Sequence, residues 1–208
     1  MDTLKVCEIF YSLQGESSYQ GKPCIFVRLS GCNLRCSWCD TQYSYTQGSM
    51  RSFESILAKI AQYPCRLVEL TGGEPLYQDA VIPLMNMLLE RGYTVLLETN
   101  GSLYAGDVSP KVIKIMDVKC PGSACADSFM KHNLKCLQPH DELKFVLTSY
   151  PDYAFAKAFI EEHQLSGYCI HFSVVGSVLP AEYLAQWMLE DGLDVHLSLQ
   201  LHKLLNLR

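Results

Sequence analysis

Cys24-Ile25-Phe26-Val27-Arg28-Leu29, followed by Gly31-Cys32-Asn33-Leu34-Arg35-Cys36-Ser37-Trp38-Cys39-Asp40-Thr41, is the stretch on which the reading of this chain turns. Its first part is an apolar run with one charge and reads as a buried strand, with Arg28 placed just before the loop. Buried there, Arg28 needs a partner, either a neighbouring acid or a carboxylate or base of a ligand. The loop carries three thiols. A closed zinc site wants four protein ligands, whereas thiolates spaced x3 and x2 on one loop can hold three irons of a 4Fe-4S cube and leave the fourth iron open. Zinc held with help from Cys24 or a histidine is the alternative. A disulfide framework fits less well, because a chain of 208 residues does not need one.

Outward from this loop the chain alternates strands and helices. On its N-terminal side, Glu8-Ile9-Phe10-Tyr11-Ser12-Leu13 reads as a short strand entering the turn Gln14-Gly15-Glu16. On its C-terminal side, Ser52 is placed to cap a helix through Phe53, Ile56, Leu57 and Ile60 that stops before Pro64. The strand Arg66–Leu70 ends in Thr71-Gly72-Gly73-Glu74-Pro75, where two glycines allow close backbone approach to a ligand and Glu74 offers an acceptor for an ammonium group. A helix from Asp79 to Gly92 leads to the strand Tyr93–Thr99, at whose end Glu98 and Asn100 either offer acceptors to a ligand or only shape the turn. In Val112–Lys119, Asp117 and Lys119 stand two apart and face the same way at a strand end. Asp141–Leu147, a helix begun at Pro151, Tyr168–Val174, Pro180–Leu189 and Asp194–Leu199 continue the alternation. The count is about four helices and seven strands. This predicts an α/β fold, an incomplete (partial) TIM-like barrel of mostly parallel strands with outer helices, as a single domain over residues 1–208. No Gly-x-Gly-x-x-Gly follows a strand, so a dinucleotide fold lacks support.

The totals agree with one compact unit, since 49% of residues are hydrophobic and 19% charged. A net charge of −5 with no basic run argues against nucleic acid or an anionic membrane as partner. The start of the chain has no apolar signal region, and no apolar run reaches the ~18 residues of a membrane span. A cytoplasmic location is expected.

Leu13-Gln14-Gly15-Glu16, Phe26-Val27-Arg28, the three-cysteine loop, Thr71–Pro75, Asp117-Val118-Lys119-Cys120-Pro121-Gly122-Ser123 and Gln200-Leu201-His202-Lys203 together resemble the 7-carboxy-7-deazaguanine synthase family of the radical S-adenosylmethionine superfamily. The resemblance covers the whole chain and implies ring contraction of 6-carboxy-5,6,7,8-tetrahydropterin to 7-carboxy-7-deazaguanine with loss of ammonia, on the path to queuosine and related deazapurines. It implies a 4Fe-4S cluster on Cys32, Cys36 and Cys39, S-adenosylmethionine as a regenerated radical source, and Mg2+ ligated by Thr41. Thr41 read alone is a turn residue. The implied substrate residues are Leu13, Gln14, Gly15, Arg28, Thr71 and Arg208; those for S-adenosylmethionine are Trp38, Cys39, Asp40, Gly73, Asp117, Val118 and Lys119. No protein general base is implied, because the cofactor radical takes the hydrogen from C6 of the pterin. A homodimer and an electron donor such as flavodoxin or ferredoxin are the implied partners. The sequence departs mildly where Ser17-Ser18 replaces a position often occupied by glycine. Cys7, Cys24, Cys65, Cys120, Cys125, Cys136 and Cys169 read as free thiols or as ligands of a second cluster. A glycyl-radical-enzyme activase and a non-catalytic iron-sulfur or zinc protein are the competing readings.

Overall fold

The computed structural model describes residues 2–207. Its strands are β1 (Thr3–Leu13), β2 (Pro23–Leu29), β3 (Ser49–Ser52), β4 (Leu67–Gly72), β5 (Thr94–Thr99), β6 (Ile113–Asp117), β7 (Glu142–Leu147), β8 (Cys169–Val174) and β9 (His196–Leu197). The α-helices are α1 (Phe53–Ile60), α2 (Val81–Glu90), α3 (Tyr150–Glu162), α4 (Ala181–Asp191) and α5 (Leu201–Leu204). The strands form one sheet in the order β3-β1-β2-β4-β5-β6-β7-β8-β9. Every neighbouring pair from β2 to β9 is parallel, and β1 is antiparallel to both β2 and β3. β3 and β9 remain as the two edges, so the barrel is incomplete.

Strand alternation sorts the side chains into two faces. Val27, Leu29, Val68, Leu70, Val95, Leu97, Met116, Leu143, Phe145, Ile170 and Phe172 join one core with Ile56, Leu84, Leu88 and Phe159 of the helices. Phe10, Cys24, Phe26, Leu67, Leu96, Ile113 and Ile115 form a second apolar cluster on the opposite face. On that second face the next positions along the strands are charged or polar: Arg28, Glu69, Thr71, Glu98, Asp117 and Lys144. The sheet therefore has a helix-covered face and a concave face with an apolar floor and a polar upper layer.

Among the described residues, nine strands and five α-helices replace the expected seven and four. β1 runs eleven residues instead of the short strand anticipated from Glu8 onward. β3, Ser-Met-Arg-Ser, is a polar edge strand pairing Thr3 with Ser52 and carries no alternating pattern. β9 keeps only two residues of the expected Asp194–Leu199. The helix start at Ser52 stands, its hydroxyl accepting from Ser55 N–H at 3.2 Å.

Candidate active site

A cavity of about 430 Å³ opens at the C-terminal ends of the parallel strands. It is lined by the cysteine loop after β2, the turn after β4, the ends of β5 and β6, the turn after β1, and the segment around α5. Ligand sites in parallel sheets lie at this end, where loops from successive strands converge.

The cysteine loop is fixed from three sides. Gly73 N–H donates to Leu29 C=O at 3.2 Å and Glu74 N–H to Gly31 C=O at 2.9 Å, joining the turn after β4 to the loop's start. A Cβ on Gly72, whose φ is +137°, would stand 2.2 Å from Leu29 O, and one on Gly73 would stand 2.0 Å from Gly31 O. These glycines serve a backbone-to-backbone approach between β2 and β4, in addition to any approach to a ligand. The Asn100 amide donates to Asn33 Oδ1 at 3.2 Å and approaches Cys32 Sγ at 3.8 Å. Ser37 N–H and Oγ donate to Ser123 and Gly122 carbonyls at 3.0 and 2.8 Å, docking the loop on the turn after β6.

Cys32, Cys36 and Cys39 are free, partly buried and face the cavity. Among the described residues their sulfurs do not form a trio within 4.8 Å of one another, the spacing that convergence on a single ion requires. Separate irons of a cube suit that spread better than one zinc. Cys24 lies in the apolar floor, away from the cavity lining, and does not complete a zinc set. Burial pushes the Cys36 thiol up to about 12 despite the opposing charge of Lys119, so this pocket favours the protonated thiol until a cation arrives. Two buried polar atoms beside the loop lack any hydrogen-bond partner, Trp38 Nε1 and Asp117 Oδ1. The other Asp117 oxygen accepts from Lys119 Nζ at 2.6 Å, and that ammonium lies 4.8 Å from the Trp38 ring centroid. An unpaired donor and an unpaired acceptor at this depth fit a polar ligand bound between them.

Deeper in the cavity lies a charged layer in which Glu16 and Glu98, named from sequence, meet Glu69 and Lys144, which sequence reading passed over. Lys144 Nζ is 2.8 Å from Glu16 Oε2 and also pairs with Glu98. Burial raises the Glu16 pKa, but Lys144 and the Gln200 amide, which donates to Glu16 Oε1 at 2.8 Å, outweigh it and hold the carboxyl at about 2. Glu69, 1% exposed, goes the other way: burial and the neighbouring Glu98 keep it protonated well above the ordinary range. The Gln14 amide donates to Glu69. Glu69 was legible as the lone charge inside Leu67-Val68-Glu69-Leu70, and Lys144 as a charge set between the apolar Leu143 and Phe145.

Of the residues singled out from sequence, Leu13, Gln14, Gly15, Arg28, Thr71, Cys32, Cys36, Trp38, Cys39, Asp40, Thr41, Gly73, Asp117 and Lys119 all line this cavity. Arg28 has the neighbouring acid as a partner, its Nε donating to Glu8 at 2.8 Å, and it also borders the cavity. Thr41 Oγ1 donates to Asp40 Oδ1 at 3.2 Å, and Asp40 pairs with Lys203 at 2.8 Å. Val118 is absent from the lining; it is buried in the helix-side core, and its N–H donates to Lys144 C=O at 2.8 Å. Glu74, read as an acceptor for an ammonium group, is 0% exposed, and accepts from Thr99 Oγ1, Leu76 N–H and Asn100 N–H. It fastens β5 to the turn. Asn100 likewise shapes the loop, and Glu98 faces the cavity paired with Lys144. Arg208 lies outside the described residues.

Residues 26–117 match the family model of the radical SAM superfamily. A 7-carboxy-7-deazaguanine synthase of Koribacter versatilis is 45% identical, with 96% of each chain covered. One from Chlorobaculum tepidum is 42% identical over 96% of this chain and 93% of its own. The chain belongs to the 7-carboxy-7-deazaguanine synthase family. The fold agrees with that membership: the crystal structure of QueE from Escherichia coli superposes with a TM-score of 0.80 at 24% identity, covering 97% of this chain and 96% of that one. Streptococcus suis SuiB shares the fold at a TM-score of 0.55 over 82% of this chain and 47% of its own. Membership in the synthase family separates this chain from the activase and non-catalytic readings.

Proposed function

We propose that this chain converts 6-carboxy-5,6,7,8-tetrahydropterin to 7-carboxy-7-deazaguanine with loss of ammonia, using S-adenosylmethionine catalytically. The observation that carries the proposal is the single cavity that brings the three-cysteine loop, the orphaned Trp38 and Asp117 atoms and the Gln14-Arg28-Thr71 wall together. Cys32, Cys36 and Cys39 would hold the 4Fe-4S cluster, with Trp38, Asp40, Gly73, Asp117 and Lys119 beside S-adenosylmethionine; once bound, the pair supplies a carbon-centred radical able to abstract hydrogen. Thr41, with Asp40 next to it, offers the hydroxyl oxygen for Mg2+, a hard ion that keeps waters and takes substrate oxygens.

The chain's own residues bind, orient and shield. Arg28 has its Nε on Glu8, and its terminal amino groups suit the substrate carboxylate. Gln14, Thr71 and the protonated Glu69 provide amide, hydroxyl and carboxylic-acid groups for the heterocycle's edge. Lys144 holds Glu16 ionised and pairs with both Glu16 and Glu98, keeping them in place beneath it. Leu34, Trp38, Val146 and Val174 give the cavity apolar walls that limit water near a reactive radical. Homodimerisation and a flavodoxin or ferredoxin as electron donor belong to the same proposal.

The test is anaerobic incubation of reconstituted, reduced protein with 6-carboxytetrahydropterin, S-adenosylmethionine and Mg2+, read by mass spectrometry. Formation of 7-carboxy-7-deazaguanine, abolished by Cys36→Ala, is the expected result. Accumulation of 5'-deoxyadenosine without that product would remove the substrate assignment.

A further inference from the structure

Lower on the concave face, Glu142 opens β7 and Cys169 opens β8, opposite each other in register, and His171 follows two residues on along the same face. His171 Nε2 lies 2.8 Å from Glu142 Oε2 and 3.2 Å from Cys169 Sγ, and the three ligand atoms fall within 4.8 Å of one another. Glu142 and His171 are 1% and 3% exposed, whereas Cys169 is only partly covered, which leaves a way in from one side. Ser18 holds the carboxylate from behind, its N–H donating to Glu142 Oε2 at 3.1 Å and its hydroxyl to Oε1. The His196 ring stacks on His171 at 5.2 Å.

Carboxylate and thiol address the same imidazole nitrogen. A nucleophile relay would place them on different ring nitrogens, with the base between thiol and orienting acid. Burial and Glu142 also push the Cys169 thiol upward, the opposite of an activated nucleophile. Convergence of one nitrogen, one sulfur and one oxygen on a point is the geometry of a mononuclear metal site. Metal bonds of about 2.0–2.3 Å in a tetrahedron separate ligand atoms by roughly 3.4–3.6 Å, so Nε2 needs to draw away from Oε2 and Sγ by less than about 1 Å each, while those two atoms, within 4.8 Å of each other, settle into the same range.

We propose that Glu142, Cys169 and His171 bind one zinc-class divalent cation through Oε2, Sγ and Nε2, with the fourth position left to water on the Cys169 side. The mixed sulfur, imidazole and carboxylate set suits zinc over the hard ion expected at Thr41. Thiolate and carboxylate together neutralise the dication; binding releases the thiol proton and takes the neutral imidazole through an Nε2 that carries no proton. Through Ser18 the ion fixes the turn that carries Gln14 and Glu16 into the cavity. None of these residues belongs to the cysteine-loop site, so the proposal is independent of the reaction assigned above.

The experiment uses the full chain with Cys32→Ala, Cys36→Ala and Cys39→Ala, so that the cavity-mouth thiols cannot compete. Co2+ is titrated as a spectroscopic probe, and Zn2+ affinity is then read by competition with a chromophoric chelator. One equivalent is expected, with a thiolate-to-cobalt charge-transfer band. Affinity should fall at least about 100-fold in Cys169→Ser and in His171→Gln, and about 10-fold in Ser18→Ala, the size expected for loss of an outer hydrogen-bond partner. Saturating Zn2+ should also raise the melting temperature of the triple-alanine chain, a reading that needs no ligand variant. Absence of that rise, or binding that survives both Cys169→Ser and His171→Gln, overturns the proposal.

Discussion

Replacing Lys144 with Met should show how the cavity's charged layer contributes to folding. The ammonium is 6% exposed and sits between Glu16 and Glu98, above the neutral Glu69. Without it Glu16 loses the charge that outweighs burial. The displacement of its pKa from 4.5 to about 2 corresponds to about 3 kcal/mol of stabilisation at neutral pH. That falls within the range for removing one partner of a buried ion pair, about 3–5 kcal/mol. The sign follows from the two titrations. Glu16 has a depressed folded pKa, so its contribution is complete well above 4.5 and is lost as pH falls toward 2. Lys144 has a raised folded pKa, with burial opposed by Glu16 and Glu98, so its contribution is complete below its ordinary range and is lost only at strongly alkaline pH. Urea unfolding of the cluster-free protein should therefore give a gap of about 3 kcal/mol between Lys144→Met and the parent at pH 7, shrinking by more than half near pH 3. A gap below about 1 kcal/mol at pH 7, or one unchanged at low pH, would refute the electrostatic account of this layer.

Asp141→Ala should cost about 3–5 kcal/mol in urea unfolding, because it strands Lys114, whose ammonium is 2.7 Å away and 1% exposed. Ser17 holds φ at +61°, so Ser17→Gly should be more stable than Ser17→Ala by about 1 kcal/mol; equal midpoints would show that the backbone there relaxes freely. Gly72→Ala should lower stability by more than about 2 kcal/mol and prevent cluster incorporation, measured by iron content, since its Cβ has no room beside Leu29. Asp117→Ala should weaken S-adenosylmethionine binding to the reconstituted protein about 10-fold or more in calorimetry, because the free Oδ1 is the acceptor assigned to that ligand.

The motif residues were legible because their chemistry depends on residue type at fixed spacing. Cys32, Cys36, Cys39, Asp117 and Lys119 come together because parallel strands deliver their C-terminal ends to one rim, a consequence of the alternation itself. Glu69, two residues below Thr71, and Lys144, inside the strand Asp141–Leu147, were present in the same pattern, yet their partners lie in segments distant in sequence, and pattern alone does not pair them. Glu74 went astray for a related reason: a carboxylate beside two glycines looks ligand-facing until the end of the neighbouring strand supplies two donors and its own turn a third. β3 escaped notice because a polar edge strand needs no apolar alternation. α5, four residues long with none buried, carries no amphipathic signature.

The open edge of the barrel is crossed by few bonds. Leu201 N–H donates to Gly15 C=O at 2.9 Å, Gln20 reaches Leu199 C=O at 2.6 Å, and Lys203 meets Asp40 at 2.8 Å with both side chains more than half exposed. An exposed pair of that kind contributes only about 0–1 kcal/mol. The Gln200 amide, donating to Glu16 Oε1 at 2.8 Å, adds a part-buried bond to this seam, which otherwise lacks the regular ladder of paired strands. Lys203 on Asp40 stands one residue from the Thr41 hydroxyl, which donates to the same carboxylate's Oδ1, so the C-terminal segment and the cysteine loop meet at one side chain. A charge change at Asp40 would therefore be felt in both segments at once.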